Sequence, residues 1–284
     1  MLNAEAVCRL RLEGALILAS NYSFLPTMTT HHFPALRPEA ALSLADELHG
    51  KSAAEALAII AERFQGEIAF STSFGLEDQA LTHLIFAEDL PIRVFTLDTG
   101  RMFNETYSTW QQTLDKYKKP IETFFPNTQK VEDMMTTKGS FSFYESVENR
   151  QECCAVRKIE PLDRALERMR CWVTGIRAEQ SDNRSTMHSV EWDAKREMVK
   201  VHPLFDWTHS QTKDFIRTNN IPYNPLHDRG FVSIGCAPCT RAVREGESFR
   251  SGRWWWEDQS KKECGLHAGT TLTTTLIPAE PHSQ

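Results

Sequence analysis

The stretch Glu67-Ile68-Ala69-Phe70-Ser71-Thr72-Ser73-Phe74-Gly75 decides the fold. Ile68-Ala69-Phe70 begins a buried strand, Ser71 to Gly75 is a hydroxyl-rich turn that ends it, and a helix follows through Ala87. Ile92 to Leu97 is a second strand, ended by Asp98-Thr99-Gly100, and an amphipathic helix runs from Phe103 to Tyr117. Ile121 to Phe125 reads as a third strand, Cys171 to Ile176 as a fourth that ends at Arg177, and Val199 to Leu204 as a fifth. Short β-rich runs separated by helices are βαβ units, because parallel strands need a crossover and a helix provides it. The fold class is therefore α/β: a mainly parallel twisted sheet with helices on both faces.

Around this core, Glu39 to His49 reads as a short helix. Ser52-Ala53-Ala54-Glu55 is a capping box that opens a second helix running to about Phe64. A long polar, helical region carries Cys153-Cys154, and Asp206-Trp207 begins another helix. Residues 1–35 lack a clear period and are expected to form a loose N-terminal extension. Residues 36–267 form one domain, its flexible C-terminal tail covering about 250–267, and the Thr-rich 268–284 is expected to be disordered.

The chain has 284 residues, 40% of them hydrophobic and 25% charged, which fits a globular protein and excludes wholesale disorder. A net charge of −6 argues against a nucleic-acid coat protein. No stretch approaches the ~20 apolar residues of a membrane helix, and the apolar run Gly14 to Ala19 is too short for a signal core. Seven cysteines, an odd number in a long chain, point to a cytoplasmic protein whose thiols do metal or redox chemistry.

Three polar turns fall at the carboxyl edge of the sheet, where open α/β folds bind ligands. Ser71-Thr72-Ser73-Phe74-Gly75 offers hydroxyls and free N–H groups at a helix N-terminus, where an anion can sit. It matches neither the Walker loop nor the dinucleotide Gly-x-Gly-x-x-Gly pattern. Leu97-Asp98-Thr99-Gly100 is the second turn. Gly175-Ile176-Arg177-Ala178-Glu179-Gln180-Ser181 is the third, in which Arg177 can pair bidentately with phosphate or sulfate. Any one of them is ordinary turn chemistry; three at one edge favour a nucleotide site.

Cys153-Cys154 and Cys236-Ala237-Pro238-Cys239 supply four thiols suited to an iron–sulfur cluster or to zinc. Adjacent ligands must splay from one backbone segment, which a bulky 4Fe–4S cube accommodates more readily than a single tetrahedral ion. Four buried thiols without metal, or a dithiol, remain alternatives, since Cys-Ala-Pro-Cys resembles the thioredoxin redox motif. Cys8 lies outside the expected folded region and Cys171 in an apolar strand, so both read as structural. Cys264 is left as the reactive thiol, in Lys261-Lys262-Glu263-Cys264-Gly265-Leu266-His267. A thiol attacks as thiolate, and the positive charge of Lys261, Lys262 and His267 helps to populate that form.

These pieces together, with Arg157-Lys158, Gly175-Ile176-Arg177 and Gly252-Arg253-Trp254-Trp255-Trp256, resemble the assimilatory sulfonucleotide reductases, and within them the adenylylsulfate (APS) reductases. The resemblance implies an adenine nucleotide α-hydrolase-like fold and a 4Fe–4S cluster on Cys153, Cys154, Cys236 and Cys239. It implies that APS binds across the sheet edge at Ser71, Thr72, Ser73, Phe74, Gly75, Leu97, Asp98, Thr99, Gly100 and Gln180. Cys264 then attacks the sulfate sulfur, forming an S-sulfocysteine and releasing AMP, and thioredoxin, expected as a separate protein, releases sulfite. Repulsion between thiolate and sulfate has to be offset by cations, for which Lys158, Arg177, Arg250, Arg253 and His267 are the candidates. Trp254 to Trp256 are expected to pack rather than to stack on a base. The resemblance implies no nucleic-acid or membrane partner and is compatible with a homo-oligomer. The nearest rival is a phosphoadenylylsulfate (PAPS) reductase, whose usual members lack the two cysteine pairs; a more remote one is an iron–sulfur tRNA-thiolation enzyme, which usually carries a Ser-Gly-Gly-type loop.

Overall fold

The computed structural model describes residues 36–180, 184 and 187–257. Two helices come first, α1 (Pro38–Leu48) and α2 (Ala53–Arg63), the second opened by the expected Ser52/Glu55 capping box. Strand and helix then alternate: β1 (Ile68–Thr72), α3 (Leu76–Ala87), β2 (Arg93–Leu97), α4 (Asn104–Tyr117), β3 (Glu122–Phe124) and α5 (Thr128–Lys138). Next come α6 (Val147–Cys154), a π turn (Ala155–Ile159) and α7 (Glu160–Ala165), then β4 (Cys171–Val173), β5 (Val190–Asp193), β6 (Met198–Val201) and α8 (His209–Thr218).

The six strands are ordered β3-β2-β1-β4-β6-β5, all neighbours parallel except β5 against β6. The chain winds outward from β1 through β2 to β3 and then returns to place β4 on the other side of β1. That reversal opens a crevice beyond the carboxyl ends of β1 and β4, where a parallel sheet leaves room for a ligand.

Alternation along the strands fills both faces. Ile68, Phe70, Val94, Cys171 and Val173 pack with Leu44, Leu57, Ile60, Leu81, Ile85 and Ile216 from the helices of one face. Ala69, Phe95, Trp172 and Met198 point the other way and meet Leu162 and Ala165 of α7 together with Leu166. Helices on both faces are thus required by strands that are apolar on both sides.

Several elements differ from expectation, among them β6, which ends at Val201 rather than at Leu204. β4 is shorter, because Gly175-Ile176 leave the ladder for the crevice, Thr174 making the last bond to it, N–H to the Val201 carbonyl at 3.0 Å. α8 starts at His209 rather than at Asp206, behind a Thr208/Gln211 capping box. β5 has no counterpart in the sequence reading: Val190-Glu191-Trp192-Asp193 places two carboxylates in a four-residue run, and only its antiparallel partner makes it a strand. Residues 1–35 and 268–284, and the expectations about them, lie outside the described residues.

The β5–β6 edge buries charge. Glu191 stands opposite Lys200, whose ammonium lies 3.8 Å from the carboxylate and 5.1 Å above the Trp172 ring. His202 sits between Thr174 Oγ1 at 2.6 Å and Glu191 Oε2 at 3.2 Å. Burial pushes its pKa from 6.5 down to about 4, Lys200 and Arg184 add to that shift, and Glu191 opposes it. A histidine whose folded pKa lies below its unfolded one contributes stability that is complete above the unfolded value and is lost as pH falls toward the folded value. The urea midpoint should therefore decrease as pH is lowered from 7 to 5, and His202→Asn should show a flatter fall; equal slopes would mean that this histidine titrates alike in the native and unfolded states.

Candidate active site

The β1–α3 turn is folded by its own hydroxyls and one carboxylate. The Phe74 N–H donates to Thr72 Oγ1 at 3.1 Å, and Phe74 takes a φ of 60°, a left-handed value uncommon outside glycine. Its ring is buried and stacks on Trp110 at 5.6 Å, which offsets the backbone strain. The Ser73 N–H and hydroxyl both donate to Asp78 Oδ2 at 2.6 Å. Asp78 lies in the first turn of α3, and burial raises its carboxyl to about 6 against the lowering effect of the Ser73 bonds. The N-terminus of α3 therefore opens into the crevice.

The β4 turn comes close because Gly175 has no side chain. A Cβ there would stand 2.4 Å from Asp78 Oδ1 and 3.3 Å from the Asp78 backbone nitrogen. Within β4 itself, Trp172 Nε1–H donates to Ser71 Oγ of β1 at 2.9 Å. In the β2 turn, Asp98 accepts from Tyr107 Oη at 3.0 Å and from the Gly100 N–H at 2.8 Å, and Gly100 has a φ of 70°.

Between these turns lies a cleft of about 240 Å³. Of the residues expected from the sequence, Ser71, Thr72, Ser73, Gly75, Leu97, Thr99, Lys158, Gln180, Arg250 and Arg253 line it. Phe74, Asp98 and Gly100 stand behind the wall and shape it. Cys264 and His267 lie outside the described residues. Arg177 does not itself line the cleft: it is fully buried, with Glu77 and Glu179 each at 2.8 Å and the Trp207 carbonyl at 3.1 Å, while its Nη2 has no partner among the described residues and Glu77 lines the cleft. Two carboxylates already offset its charge, one of them two residues along its own chain. The sequence reading did not mark Glu77, Asp78, Thr174, Arg184, His227 or Phe249, which also line the cleft. An acid three residues past the glycine cap was a usable signal for Asp78; the others carry none in one dimension.

All four expected cysteines are buried and line one small cavity beside the cleft, with Arg101, Phe143, Arg150, Arg157, Lys158 and Trp254. Cys153-Cys154 close α6, and the π turn that follows presents Arg157 and Lys158. Pro161 lacks the N–H that would bond to the Arg157 carbonyl, so the helix can widen there at low cost. Arg157 donates to the Thr99 carbonyl at 2.7 Å, and Thr99 Oγ1 lies 3.3 Å from Cys236 Sγ. The Ala237 N–H donates to the Arg101 carbonyl at 2.8 Å and the Trp254 N–H to the Cys239 carbonyl at 3.2 Å, which fixes the second pair. Trp254 is buried against this cluster and Trp256 packs on it partly buried, whereas Trp255 is about half exposed and does not pack as expected. Burial, then Cys236, pushes the Cys239 thiol up to about 12, while Lys158 and Arg253 pull it down. Burial also raises Cys153, against Arg101 and Arg157. Among the described residues, no three metal-ligating side chains are grouped to hold a single ion; the four thiols instead surround a shared space.

Lys158 and Cys236 line both the cleft and the cysteine cavity. The Arg250 and Arg253 guanidinium groups lie 5.9 and 4.8 Å from the Trp254 ring centre, so the cationic end of the cleft is the end nearest the cysteines.

The phosphoadenosine phosphosulfate reductase domain model matches residues 67–242, which span the sheet, all four cavity cysteines and the cleft apart from Phe249, Arg250 and Arg253. The chain belongs to this family. An adenosine 5'-phosphosulfate reductase of Allochromatium vinosum is 50% identical over 200 residues, 70% of this chain and 78% of that one. One from Sinorhizobium fredii is 43% identical over 251 residues, covering 88% of this chain and 98% of the relative. A solved phosphoadenylyl-sulfate (PAPS) reductase from Candida auris, in complex with phosphate, superposes with a TM-score of 0.62 at 25% identity, covering 74% of this chain and 99% of that one. The family's fold is the one the strand pattern predicted.

At the cationic end, a Cβ on Gly235 would stand 2.3 to 2.9 Å from the Arg253 guanidinium. In Gly235→Ala the flexible end of Arg253 should yield, leaving Tm within about 4 °C of wild type. The kcat/KM for a sulfonucleotide should fall about tenfold or more. An unchanged kcat/KM would show that Arg253 has no part in the cleft's chemistry.

Proposed function

We propose that this chain reduces adenosine 5'-phosphosulfate to sulfite and AMP, with Cys264 as the attacking thiolate. The observation that carries the reading is the shared wall. A cleft at the strand-order reversal has its cationic end, Lys158 with Arg250 and Arg253, built against four cysteines. The nucleotide lies across the Ser71 to Gly75 turn and the β2 turn with its sulfate toward those cations. They offset the repulsion between sulfate and an approaching thiolate as charge shifts in the transition state.

The Cys264 sulfur attacks the sulfate sulfur, the S–O bond to the phosphate breaks, and AMP leaves with the bonding electrons. A thioredoxin thiolate then attacks the Cys264 sulfur. Sulfite departs with the electron pair, and the second thioredoxin thiol resolves the mixed disulfide, which restores Cys264. The chain leading to Cys264 leaves the described core at Glu257. There a buried two-point pair with Arg150, at 2.9 Å on each side, anchors it.

Cys153, Cys154, Cys236 and Cys239 fit a 4Fe–4S cluster by donor chemistry: four thiols around a common cavity, with Arg101, Arg157 and Lys158 to offset thiolate charge. When bound, the cluster would set the electrostatics next to the sulfate. Lys158, on both walls, would be held in place by it. No helix among the described residues is long and apolar enough to cross a membrane, and free catalytic thiols suit the reducing cytoplasm.

The Candida auris likeness keeps a 3'-phosphorylated substrate as the second reading, while the relatives at 43 to 50% identity favour APS. Turnover on the two nucleotides at matched concentration should be faster with APS; faster turnover on the 3'-phosphorylated one would reverse the assignment. Incubated with APS and no reductant, the protein should gain the mass of one SO3 on the peptide containing Cys264, and Cys264→Ser should gain none. An adduct on any other peptide would overturn the mechanism. Protein purified without oxygen should contain iron and acid-labile sulfide in equal amounts, both lost in Cys236→Ser; a single equivalent of zinc would exclude the cluster.

A further inference from the structure

We propose that Phe141, Tyr144 and Trp255 form the docking surface for the dithiol protein that frees sulfite, a reductant with an apolar rim around its thiols. The inference rests on the reaction above and names the surface that its second step uses.

These three large side chains are 63%, 38% and 49% exposed, yet they adjoin one another. The Phe141 and Tyr144 rings stack with centres 6.2 Å apart, and the Tyr144 and Trp255 centres are 6.4 Å apart. Single exposed apolar residues are ordinary, whereas a contiguous group of them marks a contact surface.

The patch is backed by packed rings. Phe143, buried beneath it, lies 4.5 Å from Tyr144 between ring centres, and the partly buried Trp256 meets Tyr144 edge-on at 4.4 Å. Tyr144 Oη donates to the Pro238 carbonyl at 2.6 Å, which ties the patch to the turn between Cys236 and Cys239. Rings already fixed from below lose little freedom when a partner covers them, and aromatic anchors of this kind carry much of the energy of protein contacts.

The length of the arm says what covers the patch. Trp255 stands two residues before Glu257, whose carboxylate Arg150 clamps at 2.9 Å on each side. Cys264 follows seven residues after Glu257, so its Cα stays within roughly 25 Å of that clamp whatever path the chain takes. The reductant must bring a thiolate to the Cys264 sulfur, and its body must therefore rest on the surface around Glu257. Trp255, and through it Tyr144 and Phe141, lie there. Since the patch offers rings rather than charges, the matching face of the partner is apolar, and burial of that area drives the contact.

The test uses the full chain with reduced thioredoxin as the protein reductant and dithiothreitol, which needs no docking surface, as the comparison. The double variant Phe141→Ser, Trp255→Ser should raise KM for thioredoxin about tenfold. Its Tm should stay within about 4 °C of wild type, because both side chains are already exposed. The dithiothreitol-driven rate, and the gain of one SO3 from APS in the absence of reductant, should change by about twofold at most. Trp255→Phe, which keeps a ring, should leave KM for thioredoxin close to wild type. The proposal is overturned if the double variant uses thioredoxin as wild type does, or if the dithiothreitol rate falls by the same factor, which would mean that the patch serves the arm itself. A wild-type dimer that the double variant breaks would assign the patch to a second copy of the chain and overturn it likewise. Wild-type protein that gains no SO3 from APS would overturn the proposed reaction and this inference with it, whereas an intact adduct with an unchanged KM for thioredoxin removes the docking surface alone.

Discussion

The arrangement depends first on the carboxylate of Asp78, which accepts two hydrogen bonds of 2.6 Å from Ser73. These bonds turn the chain sharply out of β1 and expose the N-terminus of α3. The same carboxylate fills the space that a side chain on residue 175 would need, so the β1 and β4 turns can meet only where β4 continues into glycine. The strain at Phe74 belongs to this constraint and is offset by packing on Trp110. A buried acid raised to about 6 near the mouth of a cleft is a costly device. Its return is a fixed nucleotide-sized opening at the reversal of strand order.

A second constraint couples two cavities. The π turn after Cys154 changes the helical phase over five residues. The same short segment thereby presents cysteines to one cavity and Lys158 to both. Cys236 does likewise from the opposite wall. Charge on the four thiols is therefore felt electrostatically at the cationic end of the cleft, since charges at such range in a poorly solvated interior are weakly screened. Arg177 shows the converse: an arginine at the right edge of the sheet that two carboxylates have already neutralised.

Much of this was legible in one dimension. Apolar runs of strand length between helices require a parallel sheet, and a hydroxyl-rich turn after β1 identifies its active edge. The cysteine pairs stood out because thiols are sparse and chemically distinctive. The short antiparallel β5 was not legible, because Val190 to Asp193 is half acidic and becomes a strand only through its pairing with β6. The partners of Arg177 were not legible, because local spacing places a residue at an edge but does not say which carboxylates arrive from other elements.

By itself, the order of residues determined the α/β class, the turns at the sheet's carboxyl edge and the identity of the four cavity cysteines, since each rests on local periodicity or on distinctive side chains. Only the tertiary structure decided that Lys158 and Cys236 stand between two cavities and that Glu77 reaches the buried Arg177 from another element. Those facts depend on contacts between segments tens of residues apart, and burial and partnering are properties of the packed interior that no local pattern encodes.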